Sequence, residues 1–208
     1  MKTIISTLLF AAVLTPYVCL AKGAPDVADS FQQQFDALLN VVVICPPGAP
    51  TRFVDNGDGT VCDHQTGLMW EMKDASDGVE HLNNPRDVDN NYTWSISDGP
   101  PDGTAFTDFL PRLNGTIAST LPSEQLGGYR DWRLPTSAEL QSILDCSFSP
   151  CIDPVFGPTA TAASYYWSST SFDASNPGGA WFADFGSYGV GVIHKSFDRH
   201  VRAVRGGR

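Results

Sequence analysis

Four cysteines placed beyond an export leader set the first limit on how this chain can fold. Residues 1–21 read as the leader: Lys2 gives a positive start, Ile4 to Leu14 is an apolar stretch too short to span a bilayer, and Cys19-Leu20-Ala21 is a small-x-small cleavage site. The residues before Cys19, Pro16-Tyr17-Val18, are not the small ones of a lipid-attachment site, so simple removal is expected, with a secreted, periplasmic or cell-surface destination. In such an oxidising compartment an even set of cysteines reads as disulfides. Cys146 and Cys151 bracket Ser-Phe-Ser-Pro and are expected to pair locally, which leaves Cys45 to Cys62. Their spacings are not those of a zinc site, and no cysteine lies beside a His partner or in a Cys-x-x-Cys arrangement that would activate a thiol.

Charge excludes a class of partners. Without Lys2 the balance is 12 basic against 23 acidic residues, and 12 of the acidic ones fall between Thr51 and Leu110, where only Arg52, Lys73 and Arg86 are basic. A chain of this sign repels nucleic acid and has no general attraction to sulfated glycans or anionic membranes. Beyond the leader no segment is apolar enough to be a transmembrane helix.

Residues 22–50 form a short helix and a Pro-rich linker. Ser30 and Gln33 make a capping box, Phe31, Phe35, Leu38, Leu39 and Val42 recur at helical spacing, and Pro46-Pro47-Gly48-Ala49-Pro50 breaks the pattern. The stripe within residues 27–43 either packs on its own domain or forms a homo-oligomer seam. Residues 51–208 are long enough to bury one good core.

Within that domain Asp55-Asn56-Gly57-Asp58-Gly59-Thr60 resembles half of a calcium loop, but counting from Asp55 its third and fifth positions are glycine, where ligands should stand. It reads as a hairpin, with strands Arg52-Phe53-Val54 and Thr60-Val61-Cys62 around a turn whose glycines supply positive φ. Asp87, Asp89, Asn91 and Asp98 have the 1, 3, 5 and 12 spacing of a calcium loop, with Tyr92 where glycine should make the sharp turn. A polar surface loop is the competing reading, and no metal or other cofactor is otherwise expected.

The second half has clearer signals. Thr136-Ser137-Ala138-Glu139 is a capping box ahead of Leu140, Ile143 and Leu144, and it predicts a helix over about 137–145. An earlier helix is expected over 105–114, kinked or shortened by Pro111. From Tyr165 the pattern becomes strands, YYWSST, AWFADF, VGVIHK and HVRAVR. Two helices and a meandering antiparallel sheet define an α+β domain.

In order, RFVDNGDGTVCDHQTGLMW, YTWS, DGTAFTDFLPRLN, GGYRDWRLPTSAELQSILD, YYWSST, AWFADFGSYG and HVRAVRGG resemble the Lcl C-terminal domain family over nearly all of residues 51–208. The resemblance implies a C-type-lectin-like fold and an adhesin-like binding role; the family's best-described member binds glycosaminoglycans, a ligand the acidic charge here argues against. Arg133-Leu134-Pro135-Thr136 with Glu139 is also similar to a stretch of formylglycine-generating-enzyme-like domains. Those oxidases hold copper with a late cysteine pair, and here no cysteine follows Cys151. His64, His81, His194 and His200 have no i, i+4 partners, and no Gly-x-Ser-x-Gly elbow is present, so no catalytic activity is expected. Neither the Glu-Pro-Asn nor the Trp-Asn-Asp signature of calcium-bridged lectins occurs.

Trp70, Trp132, Trp167 and Trp181 are expected in the core, and Arg133, Arg202 and Arg205 are expected to tie down carboxylates such as Asp131 and Asp184. Candidate ligand contacts lie in the loops after Tyr166: Phe172, Asp173, Ser175, Asn176, Tyr188, His194 and Lys195 mix aromatic and hydrogen-bonding groups in turn-rich sequence. Two functions fit: an exported module recognising a glycan or protein at a cell surface, or a structural envelope or assembly protein. Ordinary solvated loops, or a C-terminal surface diversified for display, are the other readings of the same residues.

Overall fold

Asp55 to Thr60 is a turn. Strands β1 (Phe53–Asp55) and β2 (Thr60–Asp63) pair antiparallel with Val54 opposite Cys62, and Gly57 and Gly59 take φ of 76° and 87° to reverse the chain. These coordinates come from a computed structural model that describes Cys45 and residues 51–121, 125–159, 165–173, 175–187 and 189–206. The leader, the expected helix within 22–50 and the seam at 27–43 lie outside them.

β2 continues through a second turn into β3 (Leu68–Glu71), and β3 pairs with the last strand, β7 (Val204–Arg205), giving the order β1-β2-β3-β7. Every residue of β2 and β3 is buried, because this sheet has core on both sides. Strand alternation sends Cys62 and Met69 to a cluster with Tyr92, Phe109, Trp132 and Trp167. It sends Val61 and Trp70 to the other cluster, with Leu140, Phe156, Tyr166 and Phe185. A second antiparallel sheet, β4 (Tyr165–Asp173), β5 (Asn176–Asp184) and β6 (Gly189–His194), repeats the division at Tyr166 and Trp167. The α+β class is therefore as expected, with two sheets in place of one.

The first helical span, 105–113, falls where predicted and is distorted at Pro111, and the second is shorter than predicted. Helix α1 (Leu110–Leu113) is entered through a π turn, Ala105–Phe109, because Pro111 has no N–H to give the carbonyl of Thr107. Helix α2 (Ser137–Ser142) starts on the predicted capping box, in which Thr136 Oγ1 accepts from Glu139 N at 3.2 Å and Glu139 Oε2 accepts from Thr136 N at 2.7 Å. It stops before Asp145, whose N–H turns to the carbonyl of Cys151 beside the Cys146–Cys151 disulfide. Cys45 is joined to Cys62, so both disulfides pair as expected. Closing loops of 17 and 5 residues removes chain entropy worth about 3 and about 2 kcal/mol respectively.

The HVRAVR segment departs furthest from its expected strand. Arg199 and His200 form isolated bridges to Tyr92 and Tyr166, and only Val204–Arg205 joins a sheet. Between them Arg202 turns inward, fully buried, to donate to the carbonyls of Glu71 and Phe156 at 2.9 Å each. Arg202 therefore binds backbone carbonyls where a carboxylate partner was expected. Arg205 does bind Asp131, with Nε to Oδ1 at 2.7 Å, and Arg133 binds Glu139 through both ends of its guanidinium, at 2.8 and 2.7 Å. The carboxylate of Asp184 accepts from Gly186 N and Ser187 Oγ in its own turn, so it holds the β5–β6 connection.

Candidate functional site

Three of the four tryptophans expected in the core are there, and Trp132 and Trp167 each give an indole N–H to a carbonyl, of Leu126 and Tyr92 respectively. Trp181 is the exception. On β5 its neighbours Ala180 and Phe182 pack on the first cluster, so alternation puts Trp181 on the other face, where Ala183 is buried in the second cluster and Trp181 is partly exposed. Val192 of β6 lies opposite it, and Phe172 of β4 meets its ring edge-on at 5.8 Å with 45% of its surface exposed. Gly179 makes this packing possible: a Cβ there would stand 2.9 Å from Val192 Cγ1 and 3.3 Å from the Cβ of Phe172.

Polar groups gather at Gly178, the residue before Gly179. A Cβ on Gly178 would be 3.1 Å from His194 Nε2 and 3.9 Å from Asn176 Oδ1, so an imidazole and an amide flank one side-chain-free spot at the end of the sheet. His194 Nδ1 lies 2.9 Å from Ser196 Oγ, and its Nε2 is 3.6 Å from Asp98 Oδ1. Phe197 stands edge-on to the His194 ring and is 48% exposed.

The loop that brings Asp98 here is held by Asp102 and Lys195. Asp102 accepts from Ser95 Oγ at 2.7 Å, from Ile96 N at 2.9 Å and from Ser97 Oγ. These bonds, the Ser97 and Ser95 hydroxyls first, hold its carboxyl down at about 2. A folded-state pKa below the unfolded one contributes stability that is present above about 4 and lost as pH falls to about 2. Thermal melts of the wild type and Asp102→Asn should therefore differ at neutral pH and converge across that window. A gap that persists at pH 2 contradicts the assignment.

Of the predicted contacts, Asn176 and His194 flank Gly178, while Phe172 packs with Trp181 beside Gly179, the next residue of the strand. Asp173 is beside them at the register pair Asp173–Asn176, but its Oδ1 is taken by Ser175 N and Oγ, which pull its carboxyl below the usual range, so it shapes the turn. Lys195 is corrected outright: only 1% exposed, it donates to the carbonyl of Gly99 at 2.8 Å and lies 3.9 Å over the Trp94 ring, which fastens the 95–102 loop. Tyr188 is outside the described residues. Sequence reading missed Trp181, Asp98 and Phe197; the outward position of Trp181 was the one available signal, since it alternates with Ala180 and Phe182.

The calcium spacing does not make a calcium geometry. Asp87 is buried against His81 at 2.8 Å, Asp89 Oδ2 accepts from Gly78 N, the Asn91 amide donates to Glu80, and Asp98 stands by His194. Tyr92 in place of glycine leaves the chain to run on to its bridge with Arg199 instead of closing a ligand loop. Among the described residues no group of three or more His, Cys, Asp or Glu side chains is arranged to hold a metal ion. No described helix is long and apolar enough to cross a membrane.

Comparison with protein families matches the Lcl C-terminal domain to residues 59–205, most of the chain. The chain belongs to the Lcl C-terminal domain family. No curated protein matches it. The matched span of this Lcl C-terminal domain opens inside the first hairpin, at Gly59, and closes in β7, so it contains the whole second sheet, with Phe172, Asn176, Trp181 and His194, and all of the first but β1. The family is not a known enzymatic one.

Proposed function

We propose that this domain is a non-catalytic, adhesin-like binding module of an exported protein, which recognises a glycan or protein at a cell surface through the outward face of the second sheet. The observation that carries this reading is the edge-on pair of exposed Phe172 and partly exposed Trp181 at the end of the sheet where Asn176 and His194 flank Gly178. Aromatic faces take up the C–H face of a sugar ring or an apolar side chain, and the amide and imidazole fix its orientation. The two disulfides suit an extracellular setting, and the acidic surface favours neutral or amine-bearing ligands over polyanions.

An array of glycans and envelope extracts is the direct test. The expected result is retention of at least one ligand by the wild type and its weakening by about 1–3 kcal/mol with each of Trp181→Ala and Asn176→Ala, both variants still unfolding cooperatively. An array on which nothing binds points to the structural or assembly role.

A further inference from the structure

The second sheet has strand order β4-β5-β6, so β4 and β6 are its edges. The outer side of β4 is taken: Trp167 N donates to the carbonyl of His200 at 2.9 Å, and Ser169 N to that of Pro135 at 2.7 Å. β6 has no such cover, and its pairing fixes which of its backbone groups are left over. It runs beside β5 without a register shift, from Gly189 opposite Asp184 to His194 opposite Gly179. One residue on, Lys195 N donates to the carbonyl of Gly178 at 2.8 Å. In an antiparallel ladder Ile193, Gly191 and Gly189 then make the bonds to β5, while Val190, Val192 and His194 turn their N–H and C=O groups outward. The carbonyl of His194 accordingly accepts from Phe197 N at 3.2 Å. The outward groups of Val190 and Val192 have no partner among the described residues.

Nothing in the side chains blunts this edge. Gly189–His194 has no Lys, no Pro and no acidic residue, and no bulge, the devices that keep an edge strand from adding another chain. Gly191 serves the inner face, where a Cβ would stand 2.8 Å from Phe182 Cζ, so the Phe182 ring lies against the strand. Val190, 42% exposed, shares the other face with Val192 and His194.

We propose that β6 takes up an extended peptide as a fourth strand of the second sheet, a segment that combines β-branched residues with lysine or arginine. Unmet N–H and C=O groups at alternate residues of a straight edge are the complement of another strand's backbone. Val190 and Val192 offer apolar surface to the alternate side chains of that strand, which β-branched residues suit. Charge sets the rest. The chain has a formal net charge of −10, and Asp98, with 61% of its side chain exposed, stands 3.6 Å from His194 at the end of the strand. A cationic segment is attracted there, whereas a second copy of the chain brings the same sign. A six-residue edge is also a small contact beside the roughly 1,000 Å2 that a stable dimer buries. The edge is a different surface from the outward face of the sheet, and the proposal does not rest on the function proposed for that face.

The test is calorimetric titration of the full chain with a capped synthetic peptide, Lys-Thr-Val-Thr-Val-Thr-Lys. It should bind saturably. The same peptide N-methylated at its three central residues keeps every side chain but loses strand donors on both edges, and should bind at least about tenfold more weakly. Glutamate in place of both lysines should cost at least about threefold at low salt. Val190→Pro removes one outward N–H and spares the bonds to β5, so it should weaken the peptide about tenfold while still unfolding cooperatively. Should that variant not fold, the methylated peptide tests the same contact on the unaltered protein. Trp181→Ala, two strands from the peptide, should bind it as the wild type does. Failure of the peptide to bind, equal binding of the methylated or the glutamate form, or wild-type affinity in a folded Val190→Pro variant would each overturn the proposal. So would self-association of the wild type that Val190→Pro abolishes, because the edge would then belong to a second copy.

Discussion

Glu71→Gln is expected to destabilise the fold by about 3–5 kcal/mol, the scale for breaking a buried ion pair by removing one partner. Glu71 is wholly buried, with Oε1 2.8 Å from Lys73 Nζ and Oε2 accepting from Ala203 N at 2.8 Å. Lys73 and Arg202 are both buried around it, and burial pushes both below their ordinary values while Glu71 acts to raise them. Neutralising Glu71 removes the carboxylate of Lys73 and a nearby negative charge from Arg202, and leaves them the carbonyls of Pro85 and of Glu71 and Phe156 respectively. Lys73→Met should cost less, because Glu71 then keeps the Ala203 N–H and the nearby positive charge of Arg202. The pH dependence has a definite sign: in Glu71→Gln folded Lys73 loses its proton at a lower pH than the unfolded chain does, so the variant gains stability as pH rises between those two values. Denaturant unfolding at several pH values measures all of this, and a loss under about 1 kcal/mol, or a loss equal to that of Lys73→Met, contradicts it.

Phe156→Ala should be of comparable size, about 3–5 kcal/mol, from lost burial and an unfilled cavity. Phe156 is fully buried at the meeting point of three parts of the chain. Its ring meets Phe53 edge-on at 4.8 Å and Trp70 at 6.2 Å, and the Arg202 guanidinium lies 5.4 Å from its centroid. The alanine variant therefore also strips the aromatic face from a buried cation. Phe156→Leu keeps most of the volume and should cost clearly less. Urea midpoints of the two variants give the comparison, and equal costs would show that the ring's contacts with Trp70 and Arg202 contribute little.

The elements that local chemistry dictates were legible in the sequence. The glycines of the first turn, the Thr136–Glu139 capping box and the alternation in YYWSST and AWFADF each act over a few residues, and each appears where predicted. The inward course of HVRAVR was not legible, because it depends on carbonyls of Glu71 and Phe156, which are distant in sequence from Arg202. The same holds at the surface. The exposure of Phe172 and Asn176 was legible because they flank one hairpin, whereas Lys195 was misplaced because its burial depends on Trp94 and Gly99, about a hundred residues earlier in the chain. Asp98 carried a calcium-like spacing, yet its position beside His194 is fixed by the loop that Asp102 and Lys195 hold.

The central claim is that binding resides on the outward face of the second sheet and not in the acidic charge of residues 51–110. The most direct measurement is the affinity of wild type and Trp181→Ala for a ligand retained on the array, taken over a series of salt concentrations. Exposed charge interactions are screened within about 8 Å at physiological ionic strength, so binding carried by charge falls steeply with salt, and binding carried by an aromatic contact does not. The account predicts a wild-type affinity that changes little across the series and a Trp181→Ala affinity about tenfold or more weaker throughout. Binding that is abolished by salt and unaffected by Trp181→Ala would contradict it and move the site to the acidic half of the domain.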